Sequence, residues 1–195
     1  MMDSTHIRLK TRLLELLKEY SFEKKPVVLS SGKKSDFYID CRKTALTSEG
    51  HFLIGWLIND MLNKQYPRLD AVGGMTMGAD PLVSAVSTMS FMGGRRIDGF
   101  YIRKEPKKHG TAQWIEAAAN LEPGSAHVAV LEDVVTTGAS TIKAVERATE
   151  FGLKVDCVIA LVDRLEGGGD PVKKIVPFHP MFTRLDFMEE PPKEG

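Results

Sequence analysis

The run VAVLEDVVTTGAST, Val128 to Thr141, constrains the fold more than any other stretch of this chain. Val128 to Leu131 is a short apolar run, the pattern of a strand buried on both faces. Glu132 and Asp133 stand at its end, and Thr136, Thr137, Gly138, Ala139, Ser140 and Thr141 make a small, hydroxyl-rich turn into a helix. A buried strand that feeds a helix through a tight turn is half of a strand–helix–strand unit, which implies a parallel sheet. The stretch also carries chemistry. Turn N–H groups and a helix N-terminus hold a phosphate, and paired carboxylates accept hydrogen bonds from neighbouring sugar hydroxyls. The alternative is an ordinary strand-to-helix turn with a solvated acidic cap.

The rest of the chain extends this alternation. Leu9, Leu13, Leu14, Leu16 and Leu17 lie at near-helical spacing, predicting an amphipathic helix over Asp3 to Tyr20 capped by Asp3 or Ser4. Pro26 to Leu29 and Phe37 to Ile39 read as short strands around the polar turn from Ser30 to Ser35. Thr47 or Ser48 opens a helix that stops before Pro67. Asp70 to Val72 is a strand leading into the glycine-rich loop from Gly73 to Gly78, and Pro81 sits in the first turn of the helix that Gly93-Gly94 ends. Ile97 to Ile102 reads as a strand, and Arg103 to about Glu122 as a long mobile loop. A helix from about Ser140 to Phe151, stopped by Gly152, precedes a buried strand from Val155 to Val162. The expected architecture is an α/β, doubly wound, mostly parallel sheet, in which ligands bind beyond the carboxyl ends of the strands. Gly73-Gly74, Arg103, Asp133 and Asp163-Arg164 all fall at such ends.

Composition narrows the function classes. The chain has 195 residues, enough for one domain, with 26 basic and 26 acidic side chains that cancel. No global basic field favours nucleic acid. Cys41 and Cys157 have no metal-ligand spacing and fit a reducing compartment. No stretch reaches the ~20 apolar residues of a membrane span, and the first ten residues lack an apolar signal core. A cytoplasmic protein without membrane or nucleic-acid partners is expected.

Local charge is less even. Arg103, Lys104, Lys107, Lys108 and His109 crowd the eight residues that end at Gly110. Like charges repel, so the loop either stays solvated or receives an anion such as pyrophosphate. Phe37 and Tyr38 either pack in the core or offer ring faces to a planar base. Arg164 either pairs with Asp163 or Glu166 or forks onto a planar carboxylate.

The stretch from Val128 to Thr141 resembles the phosphoribosyl pyrophosphate (PRPP) signature of type I phosphoribosyltransferases: an apolar run, two acidic residues, two apolar residues, then a Thr and Gly turn. Arg103, Lys104, Lys107, His109 and Gly110 match the loop Arg-Lys-x-x-Lys-x-His-Gly of the orotate phosphoribosyltransferases, and Ser30 to Asp40 is similar to that family's orotate segment. Ser30 stands where some members have lysine, as do positions near Thr76 and Met77, and Asp36 stands where proline is common.

The resemblance implies the type I phosphoribosyltransferase fold with a small N-terminal hood, as one domain over residues 1–195. The helix and hood would occupy about 1–45 and the core about 46–165. It implies transfer of 5-phosphoribosyl from PRPP to orotate in pyrimidine biosynthesis. Lys104, Lys107 and Asp133 would be catalytic. PRPP would be held by Arg103, Lys104, Lys107, His109, Glu132, Asp133, Val134, Val135, Thr136, Thr137, Gly138, Ala139 and Ser140. Phe37, Tyr38, Thr136 and Arg164 would hold orotate. It also implies Mg²⁺ carried mainly by PRPP and not by protein ligands, and a homodimer whose 103–110 loop acts across subunits. The rival readings are a phosphoribosyltransferase for another base and a PRPP-sensing regulator.

Overall fold

A computed structural model describes residues 4–28, 34–106 and 114–188. Helix α1 (Ser4–Leu16) buries Leu13 and Leu16 and passes through a π turn (Leu17–Ser21) into a hairpin of β1 (Phe22–Val28) and β2 (Lys34–Ile39). This hairpin is the hood. Its antiparallel ladder slips between Lys24 and Val27, where Pro26 has no N–H to donate. The expected first strand was placed about four residues too late, and Leu29 and the turn 30–33 lie outside the described residues.

After the short helix α2 (Arg42–Ala45), Thr47 caps α3 (Ser48–Gln65), its Oγ1 accepting the Gly50 N–H at 3.0 Å. Strand β3 (Ala71–Met75) takes in Gly73 and Gly74, which the sequence reading had assigned to a loop. A Cβ on Gly73 would run into the Phe100 ring, so the glycine lets β3 pack closely there. Then follow α4 (Asp80–Met92) with Pro81 in its first turn, β4 (Asp98–Ile102), β5 (Ile115–Ala117) and β6 (His127–Val135). Helix α5 (Ala139–Glu150), β7 (Lys154–Asp163), α6 (Gly169–Lys173), β8 (Phe178–Thr183) and α7 (Arg184–Phe187) complete the chain.

The main sheet runs β5-β4-β3-β6-β7-β8, parallel except for β5, which is antiparallel to β4. It is thus the doubly wound, mostly parallel sheet expected. Two corrections follow. The loop expected over 103–122 contains the edge strand β5, and the acidic pair does not end its strand, because β6 stays paired with β7 through Val135. Alternating side chains divide between two apolar clusters. Val72, Ala129 and Leu131 face α1, α3, α4 and the hood, while Ala71, Val128 and Val130 face α5 and α6. No helix among the described residues is long and apolar enough to cross a membrane.

Candidate active site

A cleft of about 660 Å³ opens at the carboxyl ends of β3, β4 and β6, beneath the hood. Tyr38, Lys104, Glu132, Asp133, Val134, Thr136, Ser140 and Arg164 of the expected residues line it, joined by Thr76, Met77 and Gly78 of the loop after β3. The Thr76–Met77 peptide is cis.

The acidic pair forms the floor. Glu132 is 5% exposed, and its Oε2 accepts hydrogen bonds from Ser140 Oγ (3.0 Å) and Thr141 Oγ1 (2.9 Å). Burial, reinforced by the neighbouring charge of Asp133, pushes the Glu132 carboxyl up to about 7. Burial also raises Asp133, while its Oδ1 accepts the Val134 N–H at 2.9 Å. A buried carboxylate beside a half-buried one is costly unless hydroxyl donors or a cation reach them. Gly78 passes directly against Asp133, since a Cβ there would lie 2.6 Å from its Oδ1.

Beside the floor, Gly138 takes φ +77°, the left-handed turn that starts α5. No side chain caps this helix, so its first N–H groups point into the turn without an intrahelical partner. Such an end holds an anion. Val135, Thr137, Gly138 and Ala139 frame the turn but do not line the cleft; the Val135 side chain is core, and its carbonyl accepts the Arg164 N–H at 3.0 Å.

Arg164 crosses from the end of β7 to the hood. Its Nη2 donates to the Phe37 carbonyl (2.6 Å) and Ser35 Oγ (3.1 Å) and pairs with Glu166 Oε1 (3.0 Å). Its Nε is buried without a partner. The salt bridge with Glu166 weighed from the sequence is present, and the arginine still borders the cleft. Phe37 departs from expectation. It is fully buried and packs against Phe22 and Phe187, with ring centroids 5.0 and 5.6 Å away, so its ring faces the hood core and not the cleft. Strand alternation turns Tyr38 the other way, to the cleft wall, where Lys25 Nζ lies 4.1 Å from its ring centroid.

Arg103 borders an adjoining cavity of about 550 Å³ that it shares with Lys104, Thr76 and Met77, and its Nε pairs with Glu116 at 3.1 Å. Lys107, His109 and Gly110 lie outside the described residues. Asp40, expected only as the end of the Ser30–Asp40 segment, and Arg42, not singled out in the sequence, form an ion pair 2.8 Å apart on the cleft wall. Their signal was a charged pair directly after the aromatic strand.

The orotate phosphoribosyltransferase of Sorangium cellulosum is 49% identical over 94% of this chain and 95% of its own length. The chain belongs to the orotate phosphoribosyltransferase family. The family member of Aquifex aeolicus is 43% identical over 92% of this chain and 97% of its own. Among solved structures, the orotate phosphoribosyltransferase of Mycobacterium tuberculosis superposes with a TM-score of 0.79 at 32% identity, covering 93% of this chain and 99% of that one. A structure of that same enzyme in complex with PRPP superposes at 0.74 and 30% identity, covering 92% and 98%. No family model matches the chain.

Proposed function

We propose that the chain transfers 5-phosphoribosyl from PRPP to orotate, giving orotidine 5′-monophosphate and pyrophosphate, and that the residues of this cleft carry the reaction. The observation that carries the reading is the acidic pair, Glu132 buried and Asp133 half-buried, set beside the uncapped α5 N-terminus in a chain of this family. The physical problem is a C1–O bond whose cleavage leaves positive charge on ribose and negative charge on pyrophosphate. Glu132 and Asp133 accept hydrogen bonds from the ribose hydroxyls, and Asp133 keeps negative charge near the developing cation. Backbone N–H groups over 136–140 hold the 5′-phosphate. Lys104, with Arg103, Lys107 and His109, meets the leaving pyrophosphate, and Lys104 and Lys107 support its departure. Tyr38 flanks the base, Thr136 stands between base and phosphate, and the unpartnered Nε of Arg164 offers orotate's carboxylate a donor.

Mg²⁺ would arrive mainly on the phosphate oxygens of PRPP, and the carboxylates of Glu132 and the half-buried Asp133 on this floor suit a hard cation carried that way. When bound it neutralises charge on the pyrophosphate group. A homodimer in which the 103–110 loop acts across subunits rests on family resemblance. Phe52, Phe91 and Met92, exposed along α3 and α4, supply apolar surface for such contact. The two buried free thiols, Cys41 and Cys157, suit the cytoplasm.

The test is turnover of PRPP with orotate, adenine and hypoxanthine in parallel. Orotidine 5′-monophosphate from orotate alone is expected. Product from a purine with none from orotate overturns the assignment, and PRPP binding without turnover of any base favours a sensor. Sedimentation at about twice the 21.6 kDa chain mass is expected for the dimer.

A further inference from the structure

Arg147 lies in the third turn of α5, away from the cleft, and is 6% exposed. No carboxylate among the described residues forms an ion pair with it. Its Nη1 donates to the Arg103 carbonyl (2.5 Å) and to Met75 Sδ (3.5 Å), and its guanidinium carbon stands 3.7 Å from the Trp114 ring centroid. A buried cation with only neutral partners is expensive, and an apolar side chain would fill the same space more cheaply. What it touches is specific. Met75 ends β3, just before the loop 76–78. Arg103 and Trp114 close the neck of the cationic segment, where the Arg103 N–H donates to the Trp114 carbonyl at 2.8 Å.

We infer that Arg147 is a positioning residue that sets the peptide plane joining Arg103 to Lys104, and so aims Lys104 into the cleft from the helix whose first turn holds the phosphate. This rests on the proposed role of Lys104. In a trans peptide the C=O of one residue and the N–H of the next point in opposite directions within one plane. Fixing the Arg103 carbonyl therefore fixes the direction in which Lys104 leaves the neck. The flat stack on Trp114 holds the other side of the neck, and cation–π contact of this kind gains strength when desolvated. Lysine can supply the charge but not the planar stack and in-plane donor together.

The experiment compares wild type, Arg147→Met, Arg147→Lys, Lys104→Ala and the Lys104→Ala/Arg147→Met double variant in the orotate assay, with thermal melts as a folding check. Arg147→Met is expected to lower kcat about ten- to a hundredfold with the KM for orotate little changed, because a misaimed group costs rate more than binding. Arg147→Lys should recover part of the loss. The double variant should be no slower than Lys104→Ala, since both act through one side chain. If Arg147→Met fails to fold, Arg147→Lys, alone and combined with Lys104→Ala, carries the same comparison. A folded Arg147→Met with wild-type kcat, or a double variant in which the two losses multiply, overturns this inference and leaves the proposed function standing. A wild-type chain that forms no orotidine 5′-monophosphate overturns both.

Discussion

Glu132 is an acid whose charge burial disfavours, and the proposed binding of ribose hydroxyls needs that charge. Its carboxyl titrates near 7 when folded, against an ordinary value of 4.5. Between those values the folded chain holds a proton that the unfolded chain has released. The stabilisation from this raised group is therefore complete below about pH 4.5 and is lost as pH rises through about 7. Glu132→Gln removes the titration while keeping the shape. Its melting temperature should gain on wild type by a few degrees between pH 5 and pH 8, and its turnover should fall by about tenfold or more. Melts of both proteins across that range check this; a gap that stays constant with pH would contradict the assignment. In wild type, the KM for PRPP should rise as pH is lowered from 8 to 6, because the protonated acid accepts ribose hydroxyls poorly.

The hood and the turn that opens α5 are separate elements, to which the proposed reaction gives separate tasks. Because Phe37 belongs to the packing of the hood, Phe37→Leu should cost roughly 1–2 kcal/mol of stability and leave the KM for orotate within about threefold of wild type. A large rise in that KM with unchanged stability would restore the ring to the base site. Gly138→Ala should cost at least about 1–2 kcal/mol for its left-handed φ alone, and should weaken PRPP more than orotate, as paired KM measurements would read. The turn was legible in the sequence because its strand, acidic pair and small residues are consecutive, and Pro81 and Thr47 marked their helix starts for similarly local reasons. Other features were hidden for physical causes. Strand β5 has three residues, too few for a period, and β8 carries Pro180 within an edge strand. Phe37 and Tyr38 look equivalent until pairing with β1 fixes which faces the core. The hydrogen-bond partners of Arg147 lie 44 and 72 residues away along the chain.

At the scale of the whole molecule, hood and core share one apolar cluster. Leu13, Leu17, Phe37 and Ile39 pack in the same group as Ile54, Leu57, Leu131 and Phe182. A single cooperative urea transition is expected, coincident by far-UV circular dichroism and by tryptophan emission, with a slope toward the upper end of roughly 1–3 kcal/mol/M. Two separated transitions would mean that the hood folds as its own unit. One further contact joins parts that the chemistry treats as distinct. Gly168, in the segment after Arg164, lies so close to the phosphate turn that a Cβ there would come within 2.5 Å of both the Gly138 nitrogen and the Thr136 oxygen. In the proposed reaction, the segment that meets the acceptor and the turn that holds the donor thus lean on each other through bare backbone. A segment transplanted here from a relative that uses another base would have to keep glycine at 168. Any side chain at 168 would displace the turn at Gly138, so under the proposed roles it is expected to change the KM for PRPP before the choice of base.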